Sequence, residues 1–561
     1  MGRVNDDKGR TVGLRWTLTD PGMGLLERAG LAALYMTLRA AEEQAGEAKA
    51  DAVQKVLTWD LSPSTVKLCW EAPTAAQRAL EALFAFAWQV RDGVLYLPAV
   101  HRERRERDTH FLRLSEHSGI LRTALQSNKT QPRERWQRSV ETIDDDKEYE
   151  FSFQPLKGKL APRSALSKLF RRQSIRDGDA SATAWVMPGI EPRFADVEKT
   201  WRGPIDTVLL LMLAPMVCLY QEVQGEKTSE LQVIPDIGDL EEFDAVRPEV
   251  RLEPVFVAGP SDAAATFLAE YTTRSLRAAS HIGCRVVEIG IGGYYHPSNK
   301  TRKSVLDMRP SQDSGAVQRY RILHRVMPSR FAPRRDRSGD AHADVARPSG
   351  RFHVPSVRGR IADNLVNRRT WYADIAVPPR WEHYALKRQQ EDVKKHKDKH
   401  FSIEGLWFDN LRRYQWRQLM ELTNQEKLWQ SDQERLFHEA FRKVLWRLVE
   451  REKQAAQRRS GSRTEEDRIE DLYDDLYRRL TRAKTRHLLR RELSDIMAEP
   501  PGCFSRPNTL RKRPDAIWAF MNDRHDWRKA RDLALLTLAS YGQFRGRSER
   551  SGTQISEGDV P

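Results

Sequence analysis

The sequence predicts an α+β protein with mixed N-terminal and middle regions and a C-terminal all-helical bundle. Extended runs such as Val56–Trp59 and Arg285–Ile291 alternate with helical patterns in the first two thirds of the chain. Toward the C-terminus, apolar residues recur every three or four positions, which is the period of a helix with one buried face. These residues are Phe437, Phe441, Val444 and Leu448 in one stretch and Ile469, Leu472, Leu476, Leu480 and Ala483 in the next.

Capping and turn residues predict individual elements. Asp20 before Pro21 predicts a helix that runs to about Ala41, because Asp caps free backbone N–H groups and Pro suits the first helical position. Two short strands around the turn at Pro63 predict a hairpin. The apolar run between 204 and 221 predicts a further helix.

Breaks in these patterns divide the chain into several parts. The first break lies between about 125 and 150, where a polar stretch and the acidic run Asp144–Asp146 interrupt the apolar periodicity. We predict an N-terminal α+β domain at 1–150, a middle α+β domain at 151–370 with a basic segment at 300–369, a charged linker at 371–401, a helical bundle at 402–545 and a disordered tail at 546–561.

Composition indicates a folded, soluble and cytoplasmic protein. The 561 residues are 39% hydrophobic and 31% charged, which is typical of a globular chain with a highly charged surface. Four widely spaced cysteines, without metal-ligand spacing, predict free thiols in a reducing compartment. The N-terminus lacks the apolar core of a signal peptide, and Val208–Leu219 is too short to cross a membrane. We therefore expect no contact with a membrane.

The strongest functional signal is the basic segment, residues 300–369. It contains seventeen Lys or Arg and six Asp or Glu, a net charge of +11 out of +15 for the whole chain. Aromatic residues and cations alternate there, among them Tyr320, His324 and Arg358. Cations bind phosphates and flat rings stack on bases, so this pattern favours nucleic acid as the partner. The alternative is that part of the segment, from about 330 to 350, is a solvated loop whose charge binds nothing specific.

Twelve residues are the candidate nucleic-acid contacts. They lie in the basic segment, in the polar loop around 128 and in a second basic cluster near 170, and their side chains can hold phosphates or read base edges. They are Asn128, Lys129, Lys168, Arg171, Arg172, Asn299, Lys300, Arg302, Lys303, Arg319, Arg321 and Arg325.

Catalytic motifs are weak or missing in the sequence. Ser261 follows a strand and opens a helix as a nucleophile elbow would, but Ala263 stands where that motif requires glycine, so Ser261 is expected to cap the helix instead. Tyr295 occupies the third glycine position of a dinucleotide-binding pattern. We expect no enzyme activity, no cofactor and no metal. A nuclease site built from scattered carboxylates stays open as an alternative, because such sites leave no sequence motif.

Three segments carry a resemblance to a known family: TDPGMGLLERAGLAALYMTLRA (19–40), LTWDLSPSTVKLCW (57–70) and DWRKARDLALLTLASYG (526–542). With them, the chain resembles the large subunit of a type I CRISPR Cascade complex, in the MYXAN-subtype branch of the eighth Cas family. The resemblance implies a subunit without nuclease activity that binds the 5′ end of the guide RNA. It also implies recognition of the protospacer-adjacent motif in duplex DNA and the start of R-loop formation in antiviral defence.

The same resemblance implies the partners and a role for the bundle. The partners would be guide RNA, target double-stranded DNA, the Cascade backbone and guide-end-capping subunits, and a helicase-nuclease recruited after target binding. The bundle at 402–545 would correspond to the small subunit. Under this hypothesis, the loops with Asn299 and Asn128 touch motif DNA or the guide end. A nuclease and a generic nucleic-acid-binding scaffold are the alternative functions.

Overall fold

A computed structural model describes the chain outside a set of short and longer gaps. The gaps are residues 1, 6–10, 102–105, 126–133, 145–146, 158–159, 161–178, 182–201, 224–228, 251–255, 275–281, 292–299, 309–313, 327–329, 334–349, 354–355, 375–418, 422, 425–428, 430, 459–463, 500–513, 524–526 and 542–561. The chain divides into two compact units. The first consists of Met1–His324 and Pro328–Val366, and the second of Arg325–Met327 and Asn367–Pro561. The domain boundaries that the sequence indicates stay predictions.

An antiparallel sheet of four strands opens the first unit. Its strands are β1 (Gly2–Asn5), β2 (Thr11–Thr17), β3 (Thr58–Ser62) and β4 (Thr65–Cys69), in the order β1-β2-β4-β3. The register pairs Leu14 with Leu68 and Trp16 with Val66, and all four side chains are buried. Alternate residues of these strands therefore face one core. The predicted hairpin at Pro63 is confirmed as β3 and β4.

The first helix, α1 (Leu25–Glu43), begins later than predicted. The Asp20 carboxylate accepts a hydrogen bond from the Thr17 backbone N at 2.7 Å, so it closes a turn and does not cap the helix. Almost the whole of α1 is buried. A Cβ on Gly30 would lie 2.1 Å from the carbonyl oxygen of Leu210, so glycine is required for the close approach of these two segments.

Short helices and hairpins follow α1 along the chain. They are α2 (Ala48–Gln54), α3 (Ala76–Ala87), β5 (Gln89–Arg91), β6 (Val94–Tyr96), α4 (Pro98–His101), α5 (Glu106–Arg122), β7 (Gln137–Asp144), β8 (Lys147–Phe153), β9 (Asp179–Ser181) and β10 (Arg202–Pro204). Successive strands pair antiparallel as β5–β6, β7–β8 and β9–β10. His117 of α5 is buried, and its Nδ1 accepts a hydrogen bond from the Leu95 backbone N at 3.1 Å, so this histidine has a packing role.

A five-stranded sheet forms the middle of the first unit. Its elements in chain order are α6 (Ile205–Leu213), β11 (Leu219–Val223), β12 (Ser229–Asp236), α7 (Leu240–Val246), β13 (Phe256–Val257), α8 (Pro260–Arg274), β14 (Gly283–Ile291) and β15 (Lys300–Met308). The strand order is β13-β11-β12-β14-β15, and β15 is an edge strand. Only the pairing of β13 with β11 is parallel.

The helix predicted at 204–221 is wrong in its second half. The α-helix ends at Leu213, a 3-10 turn spans Ala214–Met216, and β11 begins at Leu219. Pro215 lies in the 3-10 turn, where it removes a backbone donor and ends the α-helix. A continuous apolar run does not distinguish a buried helix from a buried strand, which is why the sequence pattern extended the helix too far.

Two helices and a hairpin follow the sheet along the chain. They are α9 (Ser314–Val326), β16 (Arg330–Pro333), β17 (Gly350–His353) and α10 (Ser356–Val366). β16 and β17 pair antiparallel, with Phe331 opposite Phe352. Helices α9 and α10 both come from the basic segment that the sequence singles out.

The second unit is helical over the described part from 432 onward. Its long helices are α11 (Asp432–Arg458), α12 (Glu465–Arg482), α13 (Arg486–Ala498), α14 (Pro514–Met521) and α15 (Arg528–Ser540). The apolar stripes predicted for α11 and α12 are buried apart from Leu472, which is half-buried. The residues that are 0% exposed are Phe437, Phe441, Val444, Leu448, Leu476 and Leu480. Burial of one helical face explains the bundle. The prediction of an α+β fold with a C-terminal helical bundle is confirmed.

Two further expectations concern the membrane and the cysteines. Within the described ranges, no helix combines the length and the apolar character that crossing a membrane requires. Cys69, Cys218 and Cys284 are free thiols, while Cys503 lies outside the described residues. Burial raises the pKa of Cys218 to about 12, so this thiol stays protonated at neutral pH.

Candidate nucleic-acid interface

A buried ionic cluster joins three helices of the first unit. On α8, the Asp262 carboxylate accepts hydrogen bonds from Tyr320 of α9, at 2.5 Å from the hydroxyl oxygen to Oδ1, and from Arg358 of α10, at 2.8 Å from Nη2 to Oδ2. The hydroxyl oxygens of Thr266 and Tyr320 lie 2.7 Å apart. The side chains of Asp262 and Arg358 are 0% exposed. A buried charge without a partner is costly, so this pair favours one arrangement of the three helices.

Protonation states in the cluster follow from burial and charge. Burial, reinforced by the Asp262 charge, raises the pKa of the Tyr320 hydroxyl well above its usual range. Burial alone would lower the pKa of Arg358, but the neighbouring Asp262 charge raises it above its ordinary value. Tyr320 is thus a neutral donor and Arg358 a cation at neutral pH. Burial and the Arg358 charge together lower the pKa of His324, one turn after Tyr320, to about 4.

The edge strand β15 carries three of the predicted contact residues. Lys300 and Arg302 pair in register with Ile291 and Ile289 of β14, and the register shifts between Glu288 and Ile289. Lys303 is the extra residue of that β-bulge. Bulges occur frequently at sheet edges, where they increase the local twist and redirect the strand. The basic part of β15 therefore lies at the irregular end of an edge strand.

Helix α9 carries the other three predicted contacts that the structure describes. Arg321 donates hydrogen bonds from Nη2 to the Ala269 carbonyl oxygen, at 3.4 Å, and to the Thr272 hydroxyl of α8. Arg319 is half-buried and Arg325 is exposed. The structure thus shows Arg321 helping to hold α9 on α8, whereas Arg325 has its side chain in solvent. Binding of nucleic acid by these three arginines stays a prediction.

The remaining predicted residues lie outside the part of the chain that the structure describes. For Lys300, Arg302 and Lys303 the backbone is described, and their side chains are not. The residues in the gaps are Asn128, Lys129, Lys168, Arg171, Arg172 and Asn299. The glycine turn before Asn299 and the polar loop around Asn128 therefore stay sequence-based predictions.

Two residues that the sequence pattern grouped with the nucleic-acid surface lie in the core instead. Tyr320 is 1% exposed and Arg358 is 0% exposed, so neither can stack on a base or hold a phosphate in this structure. The signal that could have shown this for Arg358 is helical spacing. It lies three, four and seven positions before Ile361, Ala362 and Leu365, on the buried face of α10.

Sequence reasoning also missed Asp262. The nucleophile-elbow pattern drew attention to its neighbour Ser261, but the Asp262 carboxylate accepts the hydrogen bond from the Ala258 backbone N at 2.9 Å and pairs with Arg358. Ser261 is buried inside α8, after its first residue. The expectation that Ser261 caps this helix is therefore wrong, because the neighbouring Asp262 side chain makes the hydrogen bond at the start of the helix.

A second, partly buried set of charges lies on the five-stranded sheet. Arg122 of α5 pairs with Glu222 of β11 and, at 2.9 Å from Nη1 to Oε1, with Glu230 of β12. Although burial lowers the pKa of Arg122, the two carboxylates raise it above its usual value. These ionic contacts tie α5 to the sheet that ends in β15. Within the described residues, no group of three or more His, Cys, Asp or Glu side chains is arranged to hold a metal ion.

Comparison with protein families gives two matches, one in each unit. Residues 15–212 match the model of the DevT N-terminal domain, and residues 424–559 match that of the DevT C-terminal domain. Together the two ranges cover more than half of the chain. The chain belongs to the DevT family. DevT is a Cas-related family of Myxococcus, so the chain has a CRISPR-associated family context.

The matched ranges leave out the middle of this DevT-family chain. The strands β11–β15, helices α8–α10 and the whole basic segment lie between residues 212 and 424. Seven of the twelve candidate contacts, from Asn299 to Arg325, therefore lie in the part of the chain that neither DevT domain model covers. The other five lie within the N-terminal match; they are Asn128, Lys129, Lys168, Arg171 and Arg172. Comparison with curated proteins gives no match to the chain.

Proposed function

We propose that this DevT-family chain is a non-catalytic large subunit of a type I CRISPR-Cas surveillance complex. In this proposal it binds the 5′ end of the guide RNA and recognises the protospacer-adjacent motif of duplex DNA in the cytoplasm. R-loop formation then begins at that motif, as a step in antiviral defence. The observation that carries the proposal is the pair of DevT domain matches around a middle region whose basic segment has a net charge of +11.

The proposed partners follow from this role. They are guide RNA, target double-stranded DNA, the backbone and guide-end-capping subunits of the complex, and a helicase-nuclease that is recruited after target binding. Nucleic-acid backbones attract clustered Lys and Arg, and short polar loops beside them read base edges. The edge strand β15 and the loop before it supply both kinds of residue, Lys300, Arg302 and Lys303 as cations and Asn299 as a base reader.

The ionic cluster supports this assignment through the helices that follow β15. The Asp262–Arg358 pair and Tyr320 fix α9 and α10 against α8, although both helices come from a strongly basic stretch. Because α9 and α10 are already held in place, less conformational entropy is lost when nucleic acid binds at the charged edge strand β15. The basic residues of the first unit that are partly exposed, half-buried Arg319 among them, then add to a preorganised positive patch.

The test is duplex binding by a charge-removing variant together with a matched control. Lys300→Ala/Arg302→Ala/Lys303→Ala removes three cations at β15, and Arg15→Ala/Lys55→Ala/Arg78→Ala removes three exposed cations elsewhere in the first unit. Each lost phosphate contact lowers the slope of log affinity against log salt by about 0.9 on duplex DNA. We expect the β15 variant to lose affinity and up to about 3 slope units, and the control to change little.

The outcome of that comparison decides between specific and generic binding. Equal losses in the two variants would mean that net charge alone attracts the duplex and that β15 has no special part. Unchanged affinity and salt slope in the β15 variant would refute the assignment of the interface.

A further inference from the structure

One edge of the four-stranded sheet is open along its whole length. Its last strand is β3, which pairs with β4 on one side only, and every residue from Thr58 to Ser62 is exposed or half-buried. Among the described residues, the backbone of Trp59 and Leu61 forms no hydrogen bond with any segment outside the sheet. Neither the DevT matches nor the proposed interface at β15 gives this edge a role.

Alternation of hydrogen bonds along the hairpin shows which backbone groups of β3 face outward. A two-residue loop joins β3 to β4, and its first residue, Pro63, has no N–H, so Ser62 and Thr65 beside the loop form a hydrogen-bonded pair. Every second pair is hydrogen-bonded in an antiparallel ladder, which leaves Trp59 and Leu61 in the pairs that are not. Their N–H and C=O groups therefore point away from β4. They offer two donors and two acceptors in the pattern that a further strand uses.

The other edges of the two larger sheets are irregular or short. The register of β1 shifts between Val4 and Asn5, the β14–β15 pairing carries the bulge described above, and β13 has only two residues. Bulges and short strands keep sheet edges from pairing with other chains. By contrast, β3 has five residues, contains neither Pro nor Lys, and pairs with β4 without a register shift. Of these four edges, β3 is therefore the one suited to accept a strand.

Two apolar side chains at this edge are only half covered. Trp59 lies opposite Leu68 and Leu61 opposite Val66, on the face of the sheet that forms the core. Leu68 and Val66 are 0% exposed, whereas Trp59 and Leu61 are half-buried because β3 is the last strand. The Trp59 indole Nε1 donates a hydrogen bond to Glu42 Oε1 at 2.7 Å, which holds the ring at the edge. Apolar side chains on an added strand would extend the core over both residues.

The charge between these two residues selects the kind of partner. Asp60 is exposed, and in the described part of the chain it forms no ion pair. If two copies of β3 paired antiparallel through both outward-facing residues, each Asp60 would lie opposite the Asp60 of the other copy, and like charges in that position are destabilising. A Lys or Arg there is stabilising instead. β4 already has the complementary pattern on the inner side, with Lys67 opposite Asp60 between Val66 and Leu68.

We propose that β3 binds an extended segment of a partner protein, which adds to the sheet as a fifth, antiparallel strand. The segment has a cation between two apolar residues. Its backbone bonds to Trp59 and Leu61, its apolar side chains pack beside theirs, and its cation pairs with Asp60. Backbone bonds supply the affinity in this mode of recognition, and alternate side chains supply the specificity. The site is separate from β15 and does not rest on the proposed function.

Two labelled peptides test the proposal with the full-length protein. The first is Gly-Ser-Thr-Val-Lys-Leu-Thr-Ser-Gly, which repeats the pattern of β4, and the second has Glu in place of Lys. Fluorescence anisotropy measures their binding. We expect the Lys peptide to bind about three- to thirty-fold more tightly, because its cation pairs with Asp60 and the Glu peptide is repelled. The net charge of the chain, +15, would by itself favour the Glu peptide, so bulk charge cannot produce this order.

Backbone methylation distinguishes strand addition from other binding. In the proposed register, the N–H groups of the peptide's Val and Leu point toward β3 and that of its Lys points away. N-methylation of Val and Leu should weaken binding by about ten-fold or more, and N-methylation of Lys should change it much less. Hydrogen exchange gives a second readout. Bound peptide should slow exchange of the Trp59 and Leu61 amides by about ten-fold or more and leave the Asp60 amide, which bonds to β4, unchanged. These comparisons need no variant, so no loss of folding can confuse them.

Charge reversal in the protein then locates the binding. Asp60→Lys should reverse the preference so that the Glu peptide binds more tightly, and Glu249→Lys, at an exposed glutamate elsewhere in the first unit, should not. The β15 variant should bind both peptides normally, which separates this site from the proposed interface. Absence of peptide binding, equal effects of the methyl groups, or an unchanged preference in Asp60→Lys would overturn the proposal. Without peptide, protection of the Trp59 and Leu61 amides that rises with protein concentration would indicate a second copy and would overturn it as well.

Discussion

The two units are stabilised by different kinds of buried contact. In the first unit, charged side chains far apart in sequence pair with each other, as Asp262 does with Arg358 in the interior and Arg122 does with Glu230 at a half-buried position. In the second unit, the core of α11 and α12 consists of apolar stripes such as Phe441 and Leu476. The comparison indicates that the packing of α8, α9 and α10 depends on charge pairing, which one substitution breaks. The packing of α11 on α12 depends on side-chain volume, which similar residues restore.

The largest effect is expected from breaking the ionic cluster. Arg358→Met leaves the Asp262 carboxylate buried without its cation and should destabilise this part of the first unit by about 3–5 kcal/mol. Hydrogen exchange of α8, α9 and α10 measures the loss. Arg325→Ala, at an exposed arginine of α9, is the control. The double variant Asp262→Ala/Arg358→Met should recover part of the loss, since no unpaired charge remains. A single-variant effect below about 1 kcal/mol would contradict this account.

A core substitution in the bundle should lower stability somewhat less than Arg358→Met, and by an amount that depends on the volume of the new side chain. Leu476 of α12 is 0% exposed, so Leu476→Ala should destabilise the second unit by about 2–5 kcal/mol through lost burial and a cavity. Leu476→Met keeps most of the volume and should cost less than about 1.5 kcal/mol. Hydrogen exchange of α11 and α12 in both variants measures the difference. Equal losses in the two would mean that volume does not determine stability there.

Acid should weaken the cluster region through His324. Its pKa in the fold, about 4, lies below the usual value of an exposed histidine, so the unfolded chain binds more protons as the pH falls from about 6.5 to 4. Stability contributed by the neutral ring is therefore present above about pH 6.5 and lost toward pH 4, by about 1–2 kcal/mol. His324→Gln should flatten this dependence, and His487→Gln, at an exposed histidine, should not. Identical pH profiles for the three proteins would contradict the assignment.

The smallest effect is expected at the surface ion pairs of the bundle. Arg435 is 43% exposed and pairs with Asp432 and Glu439 on its own helix. Arg435→Ala should change stability by about 0–1 kcal/mol, because solvent screens exposed pairs. Thermal unfolding at low and high salt measures it. A loss of stability as large as that caused by Arg358→Met would contradict the conclusion that exposed ion pairs contribute less to stability than buried ones.

The sequence predicts the bundle well and the ionic clusters poorly, for a physical reason. The stripe of α11 repeats every three or four residues, so a short stretch of sequence contains the whole signal. The Asp262–Arg358 pair joins residues 96 positions apart, so the local sequence around either residue gives no indication of its partner. The start of α1 was misplaced because Asp20 suits a turn as well as a helix cap. The end of α6 was misplaced because an apolar run suits helix and strand alike.

The candidate interface could be predicted only in part. Charge counting identified the segment from 300 to 369, but it could not separate Arg358, which is buried, from Arg325, which is exposed. Net charge describes a region, whereas burial depends on which face of a helix packs against its neighbour.

The most direct test of the proposed function is to recover the complex from cells. The chain is tagged, purified gently at physiological salt, and its bound RNAs and proteins are identified by sequencing and mass spectrometry, beside the Lys300→Ala/Arg302→Ala/Lys303→Ala variant. We predict that repeat-derived guide RNA and several copies of one backbone protein accompany the unaltered chain, with less RNA on the variant. Recovery of the chain alone, or with unrelated RNA, would contradict the assignment to a surveillance complex.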